Sequence, residues 1–104
     1  MDMQLKDRTA LVTGASVGIG RGIALALAAE GVRLAVTARR ADKLEELAGA
    51  IVAAGGFKPI LIEQDMYAED AARRVADAAV QGLGHVDILV NNAGGSRSFK
   101  DLHV

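Results

Sequence analysis

Thr13-Gly14-Ala15-Ser16-Val17-Gly18-Ile19-Gly20 is a glycine-rich turn set between two apolar runs. Before it, Arg8 to Thr13 carries Ala10, Leu11 and Val12 without alternation. That pattern suits a parallel strand covered on both faces. After it a helix is expected from Val17 or Gly18. Ile19, Ile23, Leu27 and the neighbouring alanines supply its apolar stripe, and Gly31 its stop. Each glycine has its own task. Gly14 permits the tight turn out of the strand. Gly18 lets backbone approach a ligand with no Cβ in the way, and Gly20 lets the helix pack closely on the sheet. Unpaired N–H groups and the dipole at such a helix start favour an anion. Strand, turn and helix in this order form a cradle for the pyrophosphate of a dinucleotide.

Working outward, Arg33 to Thr37 reads as a second strand around Leu34, Ala35 and Val36. Asp42 is placed to cap a second helix whose Leu44, Leu47, Ile51 and Val52 face inward, ended by Gly55-Gly56. Lys58 to Glu63 holds a third strand, with Pro59 at its start rather than its middle. A third helix is expected from about Ala68 to Gln81, with Ala71, Ala72, Val75, Ala78 and Ala79 on its packing side. Val86 to Val90 forms the fourth strand, and Ser96 to Lys100 reads as polar loop. Strands alternating with helices imply a parallel sheet with right-handed crossovers. The expected class is α/β, the N-terminal part of a Rossmann-type doubly wound sheet with about four strands and three helices. The fourth strand should lie beside the first, across the switch point, with an unpaired outer edge.

Composition narrows the partners. The 104 residues are 51% hydrophobic and 24% charged, with a net charge of -1, which is globular rather than disordered. No polybasic surface for nucleic acid or anionic lipid is evident. Aromatics make up only 3%, against base stacking along a single strand. With no cysteine, disulfides and thiolate metal sites are excluded. His85 and His103 lack partners at metal-ligand spacing. No apolar stretch is long enough to span a membrane, and the first residues lack a signal peptide's apolar core. A cytoplasmic location is the expectation.

Thr13 to Gly20 resembles the Thr-Gly-x-x-x-Gly-Ile-Gly element of the short-chain dehydrogenase/reductase family. Asn91-Asn92-Ala93-Gly94, following Val86-Asp87-Ile88-Leu89-Val90, is similar to that family's second hallmark, in the same order and separation. The resemblance covers essentially the whole chain and implies a nicotinamide dinucleotide cofactor and hydride transfer between a carbonyl and an alcohol. It implies that residues 1–104 form a dinucleotide-binding domain. Backbone around Gly14, Ser16, Val17, Gly18 and Ile19 would line the diphosphate and adjacent ribose. The Ser16 hydroxyl either adds a hydrogen bond or stabilises the turn itself. Asp65 and Met66 match a pair resembling an adenine clamp, the alternative for Asp65 being a helix cap. Asn91 would approach the adenosine ribose, and Ala93 and Gly94 the inner part of the cofactor. Asn92 is read as structural, because a buried amide needs several partners.

Cofactor choice turns on the end of the second strand. NAD enzymes place a carboxylate there, which binds the ribose 2′-hydroxyl and repels a 2′-phosphate. Here that position is Ala38, followed by Arg39 and Arg40. A guanidinium fork matches phosphate oxygens. NADP is therefore expected, with NAD as the lesser alternative, Arg39 as the 2′-phosphate ligand and Arg40 as helper. Val17 departs from relatives that carry a second cation in the turn, and Asp42 is close enough to pair with Arg39.

The family's acid/base is a Tyr followed four positions later by Lys. The only tyrosine here, Tyr67, is followed by Ala71, and Ser96 and Ser98 read as loop residues. No catalytic residue is assigned. The chain is expected to be the cofactor-binding part of a longer enzyme, inactive alone, with a homo-oligomer expected by analogy. A non-catalytic nucleotide-binding module or subunit is the alternative.

Overall fold

In a computed structural model of the chain, residues 5–16 and 18–92 are described. Their order is β1 (Thr9–Thr13), α1 (Gly18–Ala29), β2 (Arg33–Ala38), α2 (Ala41–Ala53), β3 (Ile60–Glu63), α3 (Ala71–Leu83) and β4 (Ile88–Asn91). All strand pairs are parallel, in the order β3-β2-β1-β4. Thr13 sits opposite Thr37 on one side and Asn91 on the other. The chain moves outward from β1 to β3 and then returns to the far side of β1. A crevice therefore opens at the carboxyl ends of β1 and β4, the switch point of an open α/β sheet.

All five residues of β1 are buried, as expected for a strand covered on both faces. Alternation divides its apolar side chains between two cores. Ala10 and Val12 pack with Leu34, Val36, Leu44, Leu47 and Ile51 beneath α1 and α2. Leu11 and Ala35 pack with Val75, Ala76 and Ala79 of α3. Each fully buried Leu or Ile contributes roughly 1.5–3 kcal/mol, so α2 is held mainly by Leu44, Leu47 and Ile51. Ile88, Leu89 and Val90 of β4 are only half-buried.

Four expectations need correction. The fully buried stripe of α1 is Gly20 with the alanines Ala24 and Ala28; of the larger residues expected there, Leu27 packs half-buried against the core and Ile19 does not. Only small residues fit where the helix lies closest; Ile23 and Leu27 flank that contact, and Ile19 is 76% exposed. Val52 is 49% exposed, one position past the α2 stripe that ends in Ile51. Asp42 does not cap α2. The N-cap position is Arg40, with no side-chain cap, and Asp42 lies in the first turn. Finally, α3 begins at Ala71 rather than Ala68, because Asp70 holds φ 64 and ends the preceding turns.

At the amino end of the sheet, Thr9 and Asp87 bind each other reciprocally. The Asp87 carboxylate accepts from the Thr9 N–H at 3.0 Å and from its hydroxyl at 3.3 Å. The Asp87 N–H donates to Thr9 Oγ1 at 3.0 Å. His85 Nε2 lies 3.3 Å from the same carboxylate. The Thr9 backbone hydrogen bond, foremost, holds the Asp87 carboxyl below its ordinary value, helped by the nearby His85.

Candidate cofactor site

The glycine turn leaves β1 with Gly14 at φ 64 and re-enters helix with Gly18 at φ 61, a region that side chains with a Cβ rarely adopt. Ala15 is fully buried and its N–H donates to Thr37 O at 3.1 Å, which ties the turn to the end of β2. A Cβ on Gly18 would meet nothing within 4 Å, so its front is open. A Cβ on Gly20 would lie 2.1 Å from Gly14 O and 2.6 Å from Asn92 Nδ2. The close approach read from the sequence is therefore to the turn's own carbonyl and to the end of β4.

β4 is clasped to this turn through amides. The Thr13 hydroxyl lies 3.1 Å from Asn91 Oδ1 and accepts from the Asn92 N–H at 2.9 Å. Asn92 Nδ2 donates to Gly14 O at 3.3 Å. Asn92 thus ties the end of β4 to the turn, but it is exposed and lines the cleft, where a buried amide was expected. Asn91 turns its amide oxygen toward Thr13.

A cleft of about 610 Å³ opens here, lined by Gly14, Ser16, Ala38, Arg39, Arg40, Lys43, Gln64, Met66, Tyr67 and Asn92. It brings together Gly14, Ser16, Arg39, Arg40 and Met66 from the sequence-based set. Gly18, Ile19, Asp65 and Asn91 are not on its wall, and Val17, Ala93 and Gly94 lie outside the described residues. Lys43 and Tyr67 are additions. Their signals were the helical spacing of Lys43 from Arg40 and the adjacency of Tyr67 to Met66.

Three cations and no carboxylate line this wall among the described residues. Their engagements differ. Arg40 grips Asp42 through Nε–Oδ1 at 3.1 Å and Nη2–Oδ2 at 2.7 Å. That guanidinium holds the Asp42 carboxyl below its usual range. Asp42 therefore pairs with Arg40, not Arg39. Lys43 Nζ lies 3.4 Å from Glu46. Arg39 is exposed and has no hydrogen bond or ion pair among the described residues. Asp65 Oδ1 accepts from the Tyr67 N–H at 2.9 Å, an Asx-type turn. It caps that turn and not α3.

Among the described residues, no group of three or more His, Asp or Glu side chains is placed to hold a metal ion. No described helix is long and apolar enough to cross a membrane.

Comparison with known proteins agrees with this geometry. The short chain dehydrogenase family profile matches residues 8–104. A short chain dehydrogenase of Pseudocercospora fijiensis is 45% identical over 94 residues, covering 90% of this chain and 30% of the relative. Glucose dehydrogenase of Caenorhabditis elegans in its apo form superposes with a TM-score of 0.82 at 34% identity, covering 90% of this chain and 40% of its own. A 7α-hydroxysteroid dehydrogenase solved with NADH and 7-oxo glycochenodeoxycholic acid gives 0.82 at 38% identity, covering 88% and 35%. The chain thus spans well under half the length of these relatives. It belongs to the short chain dehydrogenase family and corresponds to its cofactor-binding N-terminal region.

Proposed function

We propose that this chain supplies the NADP(H)-binding part of an oxidoreductase that interconverts a carbonyl and an alcohol on a small molecule. The observation that carries the NADP reading is the cleft wall beyond β2. Arg39, Arg40 and Lys43 line it, Ala38 stands where an NAD enzyme presents a carboxylate, and no acid shares the wall among the described residues. A 2′-phosphate meets attraction there, and an NAD ribose finds no carboxylate to hold its hydroxyl. When bound, the nicotinamide gives or takes the hydride.

The chain's own residues bind and orient. Gly14, Ser16 and Gly18 present turn backbone with an open front, which suits a diphosphate at a helix start. Met66, on the same wall, and Asp65 just before it are assigned to the adenine. Arg39 holds the 2′-phosphate, because its guanidinium has no partner among the described residues. Arg40 is engaged by Asp42 and takes the helper's part. Val17, Ile19, Asn91, Ala93 and Gly94 belong to the same proposed contact set along the ribose and the inner cofactor.

Arg39→Ala tests this reading. A charge-assisted hydrogen bond contributes about 1.5–3 kcal/mol, so NADP binding should weaken roughly 10- to 150-fold. NAD binding should stay within about twofold. Calorimetric titration with both dinucleotides decides it, and equal losses for the two would overturn the assignment.

A further inference from the structure

We propose that Tyr67 is a base-contacting residue of the cleft, presenting its ring to the purine of the dinucleotide; this rests on the cofactor reading above. Tyr67 is the single tyrosine in a chain with only two phenylalanines and no tryptophan. Its side chain is 64% exposed, yet it lines the cleft beside Met66. Its lining combines three cations, Arg39, Arg40 and Lys43, with the apolar Met66 and the aromatic Tyr67. A ligand with a phosphate joined to a flat heteroaromatic base satisfies both.

Backbone geometry supports the assignment. The Tyr67 N–H is held by Asp65 Oδ1 at 2.9 Å, and Ala68 N–H donates to Asp65 O at 3.0 Å. The segment that carries the ring is thus closed by two hydrogen bonds, so little backbone order is lost on binding. The same arrangement occupies one oxygen of Asp65, which reduces what that carboxylate can offer an exocyclic amine. A π-face adds affinity without reading the base edge, since every base presents one. Tyr67 therefore contributes binding, and Asp65 contributes the choice of base.

The test uses unmodified chain, Tyr67→Ala and Tyr67→Phe, titrated with NADP and with adenosine 2′,5′-bisphosphate. Tyr67→Ala should weaken both about 5- to 30-fold, within the range for base–aromatic stacking. Tyr67→Phe should stay within about twofold, because it keeps the ring. A second measurement needs no variant. Tyr67 is the sole tyrosine and there is no tryptophan, so tyrosine emission of the 104-residue chain reports on this ring alone. Adenosine 2′,5′-bisphosphate should quench it saturably, and nicotinamide mononucleotide should not. Binding by unmodified chain with neither quenching nor a loss in Tyr67→Ala overturns the role of Tyr67 and leaves the cofactor reading standing. No binding by unmodified chain overturns both.

Discussion

β1 is fastened to β4 at both ends through a threonine, and the two fastenings use different chemistry. At the amino end Thr9 is bound by the carboxylate of Asp87, with His85 alongside. At the carboxyl end the hydrogen bonds of the Thr13 hydroxyl include the Asn91 side-chain oxygen, the Val90 carbonyl and the Asn92 N–H, all neutral groups. Hydrogen bonds to an ionised acceptor are in general stronger than neutral ones, so the two ends differ in the charge of the acceptor although the bond lengths are similar. The carboxyl end forgoes that charge. That end faces a cleft lined by three cations, and a carboxylate there would compete for those cations and repel an anionic ligand. Two threonines on one strand thus face different chemistry, and the neutral set lies at the end where the cofactor is proposed to bind.

The largest expected effect breaks the carboxyl-end clasp outright. Gly20→Ala drives a methyl group into Gly14 O and Asn92 Nδ2, and the Gly14 carbonyl is backbone that leaves little to yield. Overpacking of this kind costs about 3 kcal/mol or more. Chemical denaturation should show that loss and NADP titration a loss of affinity; unchanged stability would mean that α1 does not touch the turn. A smaller effect follows from importing the amino end's chemistry. Asn92→Asp removes the donor to Gly14 O and sets a negative charge on the cleft wall. NADP affinity should fall about tenfold, and added salt should soften the charge contribution. If Asn92→Asp binds NADP no worse than Asn92→Ala, the contrast between the ends has no electrostatic content.

The smallest effect lies at the amino end and on stability alone. Asp87→Asn should lower the denaturation midpoint and leave the NADP dissociation constant unchanged. Its pH dependence carries a definite sign. Asp87 is held below the ordinary 3.8 by Thr9 when folded. Its contribution is therefore present above 3.8 and fades as pH falls through the lower folded value. Unfolding midpoints measured down through this acid range should converge for the unmodified chain and Asp87→Asn, since only the former has this carboxylate to protonate. A gap that widens on acidification would reverse the assignment.

The alternation of elements and the glycine spacing were legible because each follows from local rules. Continuous apolar runs mark buried strands, and glycines mark turns that other residues cannot make. What stayed hidden depended on neighbours distant in sequence. Ile19 and Ile23 look like the inner face of α1 by hydrophobicity. The close packing at Gly20 was readable from the glycine spacing, but that Ala24 and Ala28, rather than the larger Ile19, are the buried residues beside it depends on a distance that no periodicity reports. Asp42 has the composition of a cap, but the bidentate hold of Arg40 draws it into an ion pair. Lys43 and Tyr67 reach the cleft from segments that meet only once β2 and β3 pair. The cationic pair after β2, by contrast, was readable from Arg39 and Arg40 alone, because both follow that strand directly in the sequence.

The central position of β1 also bears on how the chain matures. Its partner on one side follows after some twenty residues; its partner on the other ends only at Asn91. During synthesis the amino-terminal strand must wait, with one row of peptide groups open, until nearly the whole described chain has emerged. Such late closure slows folding and leaves the open edge of β1 exposed to mispairing.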